Sequence, residues 1–400
     1  MYSDDDLNSA VAAGALSAEA AANFRAHMSA MRALPHASEE DFRLLNSFND
    51  IFVSIGIVIL LVALGAIGQA LAGVIAPEPL WPDLGVPAFG ELSAAQEAAI
   101  DAYDAASNRN NAFTALLAGL FVAAAAWPLA LFFTAKRRMA LPSILLLLAF
   151  VGGVFATGMG LVLLTEAGSN ENDTLVAVLV AGAALVAAGA AWLHWRRFMV
   201  PITVAAGSAA VAGTVLALLA AAIGPDNLSE RLVLSLVLVA GLCVFAFAMR
   251  WDMSDRARTT RRSDVAFWLH LLAAPMIAHP IFALLGVTDG DNPGVGAAVA
   301  VLGAYIAFGL VALATDRRAL LVSALAYVLF ALTFLFREFG AVELNFALTA
   351  LVIGSALLSL SAFWQPIRRG VVTLLPSGLQ AMLPATEEPA YAPPAGASPA

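Results

Sequence analysis

The segment 268–282, "WLHLLAAPMIAHPIF", places two histidines and two prolines inside an apolar stretch of membrane length. Neutral imidazole donates one hydrogen bond and accepts another. His270 and His279 therefore need polar partners in a medium that offers no water. Pro275 and Pro280 each delete a backbone donor and leave the carbonyls of Leu271 and Met276 without their usual intrahelical bond. Interrupted helices of this kind line cavities in membrane proteins; they also occur as packing kinks whose freed groups are met by neighbours. On a near-regular helix Trp268, Leu272, Pro275 and His279 share one face, and with His270 they form the candidate cavity lining. This reading bends the helix near Pro275 and turns His279 toward the bundle interior. Nine residues rotate a helix by about 180°, so the two histidines stand on opposite faces. No third ligand at helical spacing joins them, and neither a metal site nor a cofactor is assigned.

The elements that must position these residues follow from composition. Apolar residues make up 61% of the chain and charged residues 12%, with a mean hydropathy of +0.86. A soluble domain keeps about a quarter of its residues charged, so this chain needs the lipid bilayer as a partner to cover its surface. The net charge of −9 argues against nucleic acid. The single cysteine, Cys243, excludes a disulfide within one chain. The acidic start "MYSDDDLNSA" has no basic region followed by an apolar core, so the first apolar span is expected to direct insertion.

A spanning helix needs roughly 20 mainly apolar residues. Ten stretches qualify: about 51–75, 112–135, 139–165, 174–193, 201–224, 232–249, 265–287, 295–315, 319–336 and 344–365. The expected fold is an all-α polytopic transmembrane bundle of about ten spans, because lipid leaves backbone groups no other partner. Between those bounds no span contains Asp, Glu, Lys or Arg, which speaks against an ion-coupled pathway built on a buried carboxylate.

Basic residues follow every even-numbered span: "KRR" at 136–138, "RR" at 196–197, "RARTTRR" at 256–262, "RR" at 317–318 and "RR" at 368–369. All but Arg109, Arg231 and Arg337 fall on the side shared by both termini, which the positive-inside rule assigns to the cytoplasm. The turns "RRMALP" (137–142) and "RRFMVP" (196–201) resemble each other. A duplicated hairpin would produce this, and so would a topogenic need for arginine at every inward turn.

Residues 1–36 read as a cytoplasmic helical hairpin turning at Gly14, with Ser17 as a cap. Residues 38–50 read as an interfacial helix, 51–369 as the transmembrane domain, and 76–111 as its one sizeable outer loop, with a helix over "ELSAAQEAAIDAYDAAS". Residues 370–400 form a cytoplasmic tail, Pro/Ala-rich and disordered from about 384. Within the third span Gly152, Ala156 and Gly160 make a small-residue row suited to a helix interface.

The hairpin "DLNSAVAAGALSAEAAANF", the polar lead, the many spans and a late "WQPIRRGVVTLLP" resemble a group of prokaryotic multi-pass membrane proteins catalogued as a domain of unknown function. The resemblance covers about 30 residues and implies a bacterial inner-membrane location. It implies no activity and no catalytic residues.

No enzyme motif is present: neither H-E-x-x-H nor G-x-S-x-G, no P-loop, and no pair of intramembrane aspartates. Three functions stay open. One is a permease-like protein handling a neutral or lipid-like solute. Another is a membrane scaffold or regulator whose hairpin, 1–36, docks a cytoplasmic protein partner. The third is an intramembrane enzyme using Arg337, Glu338 and Glu343 at the outer face.

Overall fold

The computed structural model describes residues 4–33, 48–77, 79–81, 93–166, 173–258, 260–286, 295–338 and 345–386. Among these residues every regular element is a helix: in lipid an apolar run must close its backbone hydrogen bonds within itself. The N-terminal hairpin is α1 (Asp4–Ala12) and α2 (Ala18–Ala33). The long helices are α3 (Phe48–Ile75), α4 (Ala94–Ala130), α5 (Ala140–Glu166), α6 (Asp173–Phe198), α7 (Ile202–Ile223), α8 (Glu230–Met253), α9 (Arg261–Leu284), α10 (Val295–Thr315), α11 (Ala319–Glu338) and α12 (Asn345–Ala362). Shorter helices α13 (Trp364–Thr373) and α14 (Ser377–Gln380) close the described chain. Among the described residues nine helices are long and apolar enough to cross a membrane. A tenth crossing results if α12 and α13, bent by 77° from each other, count as one broken span. The chain is a multi-pass membrane helical bundle. The expected interfacial helix lies mostly, and the tail beyond 386 wholly, outside the described residues.

The outer helix and the second span, expected as separate elements, are one. Ala94–Lys136 runs for 43 residues, about 65 Å and roughly twice the hydrocarbon thickness. Alanine and other good helix formers fill its polar half, so nothing breaks it before the apolar part begins. Its start is fixed by a capping box, in which Gln96 N donates to Ser93 Oγ and Ser93 N to Gln96 Oε1. Trp81 packs edge-on against Tyr103 at 4.8 Å, and Asn110 Nδ2 donates to the Ala76 carbonyl at 2.6 Å. Both contacts tie the outer loop to α4. At the other end the last six residues, Leu131–Lys136, widen into a π turn.

Close approach of α4 and α5 rests on glycine. A Cβ on Gly153 would lie 2.7 Å from the Gly119 carbonyl oxygen, and one on Gly160 would lie 2.4 Å from the Leu116 nitrogen. Gly152, placed by the sequence pattern on the interface, is exposed and meets nothing within 4 Å. The interface row is therefore Gly153, Thr157 and Gly160: Gly160 stands where expected, and Gly153 takes the place expected for Gly152. Small residues on both rows make the register illegible from sequence.

α9 is the hub of the second half of the bundle. Its apolar window is 56% buried, against 35% or less for the other long helices. Val265, Leu269, Ala273, Ile277 and Phe282 pack with Val301 and Phe308 of α10 and with Ala324, Val328 and Ala331 of α11. Gly241 of α8 crosses it so closely that a Cβ there would stand 2.9 Å from the Met276 carbonyl. The helix runs unbroken through Pro275 and Pro280; the expected bend does not interrupt it.

Candidate functional site

The charged residues that sequence reading left in solvated turns meet inside the protein. Asp252, in the last turn of α8, is 1% exposed. Its Oδ1 accepts from Arg317 Nη2 at 2.7 Å, and its Oδ2 accepts from His270 Nε2 at 2.9 Å. Beside Arg317 the carboxylate acts as an acceptor, so the His270 proton resides on Nε2. Arg317 also donates to the Ser263 carbonyl at 3.1 Å. Phe245 packs edge-on against the His270 ring at 5.0 Å.

A second set of pairs adjoins the first. Arg258 Nη1 donates to Asp316 Oδ2 at 2.7 Å, and its Nη2 donates to the carbonyls of Thr315 and Asp316. Trp364 Nε1 donates to Asp316 Oδ1 at 2.6 Å, and Arg368 Nε lies 3.7 Å from that oxygen. Burial first, and then the nearby Arg317 charge, lower the Arg258 pKa from its ordinary value; Asp316 and Asp252 oppose them. Arg368, fully buried, donates to the carbonyls of Pro384 and Ala385, and Arg256 Nε donates to that of Leu383 at 2.8 Å. The C-terminal segment thus stays attached through residue 385; the stretch expected to be disordered from about 384 lies almost wholly outside the described residues. Thr260, the cap of α9, donates through N and Oγ1 to Asp255 Oδ2.

Local structure builds this cluster. α10 ends with Arg317 N bonding back to Ala312 O, which requires Asp316 at φ 56. This is the left-handed cap usually taken by glycine. Aspartate is among the few side chains that tolerate it, and here its carboxylate gains Arg258 and Trp364. α13, turned away from α12, buries Trp364, Arg368 and Val372 at i, i+4 and i+8. The cluster therefore joins the ends of α8, α9, α10 and α13 to the C-terminal segment. Most of its donors and acceptors face each other, although Arg258 Nε and Arg368 Nε have no hydrogen-bond partner, so the cluster ties the arginine-bearing end together.

The five candidate lining residues differ in burial along α9. His270 is buried on Asp252. Nine residues on, His279 is exposed on the opposite face, as the helical rotation requires. It does not turn inward; its Nδ1 pairs with Tyr327 Oη of α11 at 2.7 Å, and Tyr327 stacks on Phe282 at 4.5 Å. Pro275 is exposed and Leu272 half-buried. Trp268 alone among the five borders one of the cavities described below. The outer-face trio lies largely outside the described residues. The row Trp268, Leu272, Pro275, His279 runs from half-buried to exposed positions, with His279 still joined to α11 through Tyr327.

Sequence reading passed over His194, which falls one residue beyond its expected span. It is 0% exposed, its Nδ1 lies 3.3 Å from Thr203 Oγ1, and the rings of Trp127, Phe150 and Phe198 surround it. The signal available was its place between Trp192 and Trp195.

Two cavities flank this region. An apolar groove of about 700 Å³ lies between α6, α7 and α8, lined among others by Trp195, Gly207, Val211, Ala240, Cys243 and Trp251. It exists because α7 packs along α6 while α8 packs along α9, so the two neighbours diverge. No charged residue lines it. The other cavity, about 640 Å³, opens at the arginine-bearing end between the α4–α5 turn, the α6–α7 turn and the start of α9, and Trp268 forms part of its wall. Comparison with protein-family models, curated proteins and solved structures finds no match for this chain.

Proposed function

We propose that this protein binds and moves a neutral or lipid-like solute within a bacterial cytoplasmic membrane, with both termini on the cytoplasmic side. The observation that carries the reading is the groove between α6, α7 and α8. It is large enough for part of an acyl chain or a comparable apolar body, and uncharged walls suit a solute without net charge in that region. The absence of acidic or basic residues from its lining argues against ion coupling at this site. Orientation rests on the arginine distribution alone.

Cys243 is the chain's only cysteine, is exposed, and lines the groove, so its alkylation reports occupancy without an engineered site. In detergent, added diacylglycerol should slow the reaction of Cys243 with N-ethylmaleimide. A bulky Val239→Trp replacement in the same wall should slow it without lipid. Alkylation that stays unchanged at saturating diacylglycerol would remove the basis of the proposal.

The scaffold reading has one observation in its favour. In α1 and α2 the side chains described are exposed or half-buried except Ala21, so the hairpin presents surface to a cytoplasmic protein partner without a core of its own.

A further inference from the structure

We propose that the cavity at the arginine-bearing end is a binding site for a phosphate group. The site is separate from the α6–α7–α8 groove and stands whether or not that groove carries a solute. Its wall draws one arginine from each of three connections: Arg138 from the α4–α5 turn, Arg197 from the end of α6, and Arg261 from the start of α9. One carboxylate, Asp264, faces this set, and it lies within the influence of Arg261. Three guanidinium groups against one aspartate leave the cavity with an excess of positive charge.

The buried arginines nearby are neutralised, whereas the three of the cavity are exposed. Arg317 and Arg258 each hold a carboxylate at 2.7 Å. Among the described residues neither Arg138 nor Arg197 has an ion-pair partner; Arg197 lies 5.5 Å over the Phe198 ring. Charge left unneutralised around a concave space favours an anion there.

Thr134 supplies the second observation. Thr157, Thr214, Thr315 and Thr333 of the long helices donate to the carbonyl four residues earlier. Thr134 sits in the π turn and borders the cavity, and its buried Oγ1 has no hydrogen-bond partner. A buried hydroxyl without a partner is costly, and rotation of the Thr134 side chain toward the cavity it borders would bring Oγ1 to an anion oxygen there.

The arrangement selects phosphate over carboxylate. A planar carboxylate is satisfied by one bidentate arginine. Three arginines arriving from three chain connections suit a tetrahedral group with several acceptor oxygens. Ile144, Val200 and Trp268 give the same cavity an apolar wall. Basic pockets between transmembrane helices at the membrane surface take lipid headgroups, and a soluble phosphoester would present the same oxygens.

The test measures binding to the purified full-length protein by native mass spectrometry, with phosphatidylglycerol and monoglucosyl diacylglycerol, which lacks the phosphate, as probes. The wild type should retain phosphatidylglycerol preferentially. The double variant Arg138→Gln/Arg197→Gln should weaken that binding by about ten- to thirtyfold, on the scale of one near-surface basic contact per arginine removed. The control is Arg137→Gln/Arg196→Gln, which removes the same charge from the same two turns at positions outside the cavity wall. It should leave binding within about twofold of wild type. Thermal unfolding of both doubles establishes that they are folded; if Arg138→Gln/Arg197→Gln is not, Thr134→Val and Arg261→Gln replace it. Competition by millimolar inorganic phosphate assigns the site to a soluble phosphoester, and its failure to compete assigns it to the lipid headgroup; both keep the phosphate site. Equal retention of the two lipids together with no phosphate binding overturns the proposal. So does an equal loss in the two double variants, which would make the effect one of interfacial charge alone.

Discussion

Asp252 is the residue whose removal tests most directly whether the buried cluster locks the arginine-bearing end. Asp252→Ala deletes the acceptor of both Arg317 Nη2 and His270 Nε2. Arg317 is 4% exposed, so its charge would remain in place with only the Ser263 carbonyl as a described acceptor. Breaking a buried pair in this way costs about 3–5 kcal/mol, a large fraction of the stability of a typical domain. Replacing both charges by apolar residues, Asp252→Leu with Arg317→Met, removes the attraction and the burial of charge together. That exchange is often neutral or stabilising. The double variant should therefore be markedly more stable than Asp252→Ala, with a coupling of about 1–3 kcal/mol between the sites. Equilibrium unfolding in mixed detergent micelles, followed by circular dichroism, measures Asp252→Ala and each corner of the cycle: wild type, Asp252→Leu, Arg317→Met and the double variant. A single-variant cost below about 1 kcal/mol would mean that water reaches Arg317. Additive losses in the double variant would mean that the two side chains are not coupled. Either result refutes the lock.

Two further outcomes follow from the fold and its orientation. Gly153→Ala should destabilise the bundle by about 1–3 kcal/mol through collision with α4, whereas Gly152→Ala on the same helix should change stability by less than about 0.5 kcal/mol; thermal unfolding of the pair checks the interface register. With the termini inside, alkaline phosphatase fused after Asn110, in the outer half of α4, should be active and a fusion after Arg138 inactive; the reverse pattern would invert the proposed topology.

Sequence alone determined that the chain is a helical membrane bundle, roughly where its spans lie, and that basic residues gather at one end. Those features are local: an apolar run of about 20 residues has no alternative to helix in lipid. It also determined that His270 and His279 face opposite ways, because rotation per residue is a backbone constant. Which face turns inward was decided by tertiary structure. In a soluble helix the polar side marks the outside, but here both sides of α5 and α9 are apolar, so Gly152 and Gly153, or His270 and His279, are equivalent until the neighbours are placed. The same holds for charge. Arg137 and Arg317 both stand just beyond an apolar run, yet Arg137 is exposed over the Phe132 ring. Arg317 is buried against an aspartate 65 residues earlier in the chain. A side chain at a helix end can reach water or a partner at similar local cost, and only the packing of α8 and α11 against α9 makes the partner available.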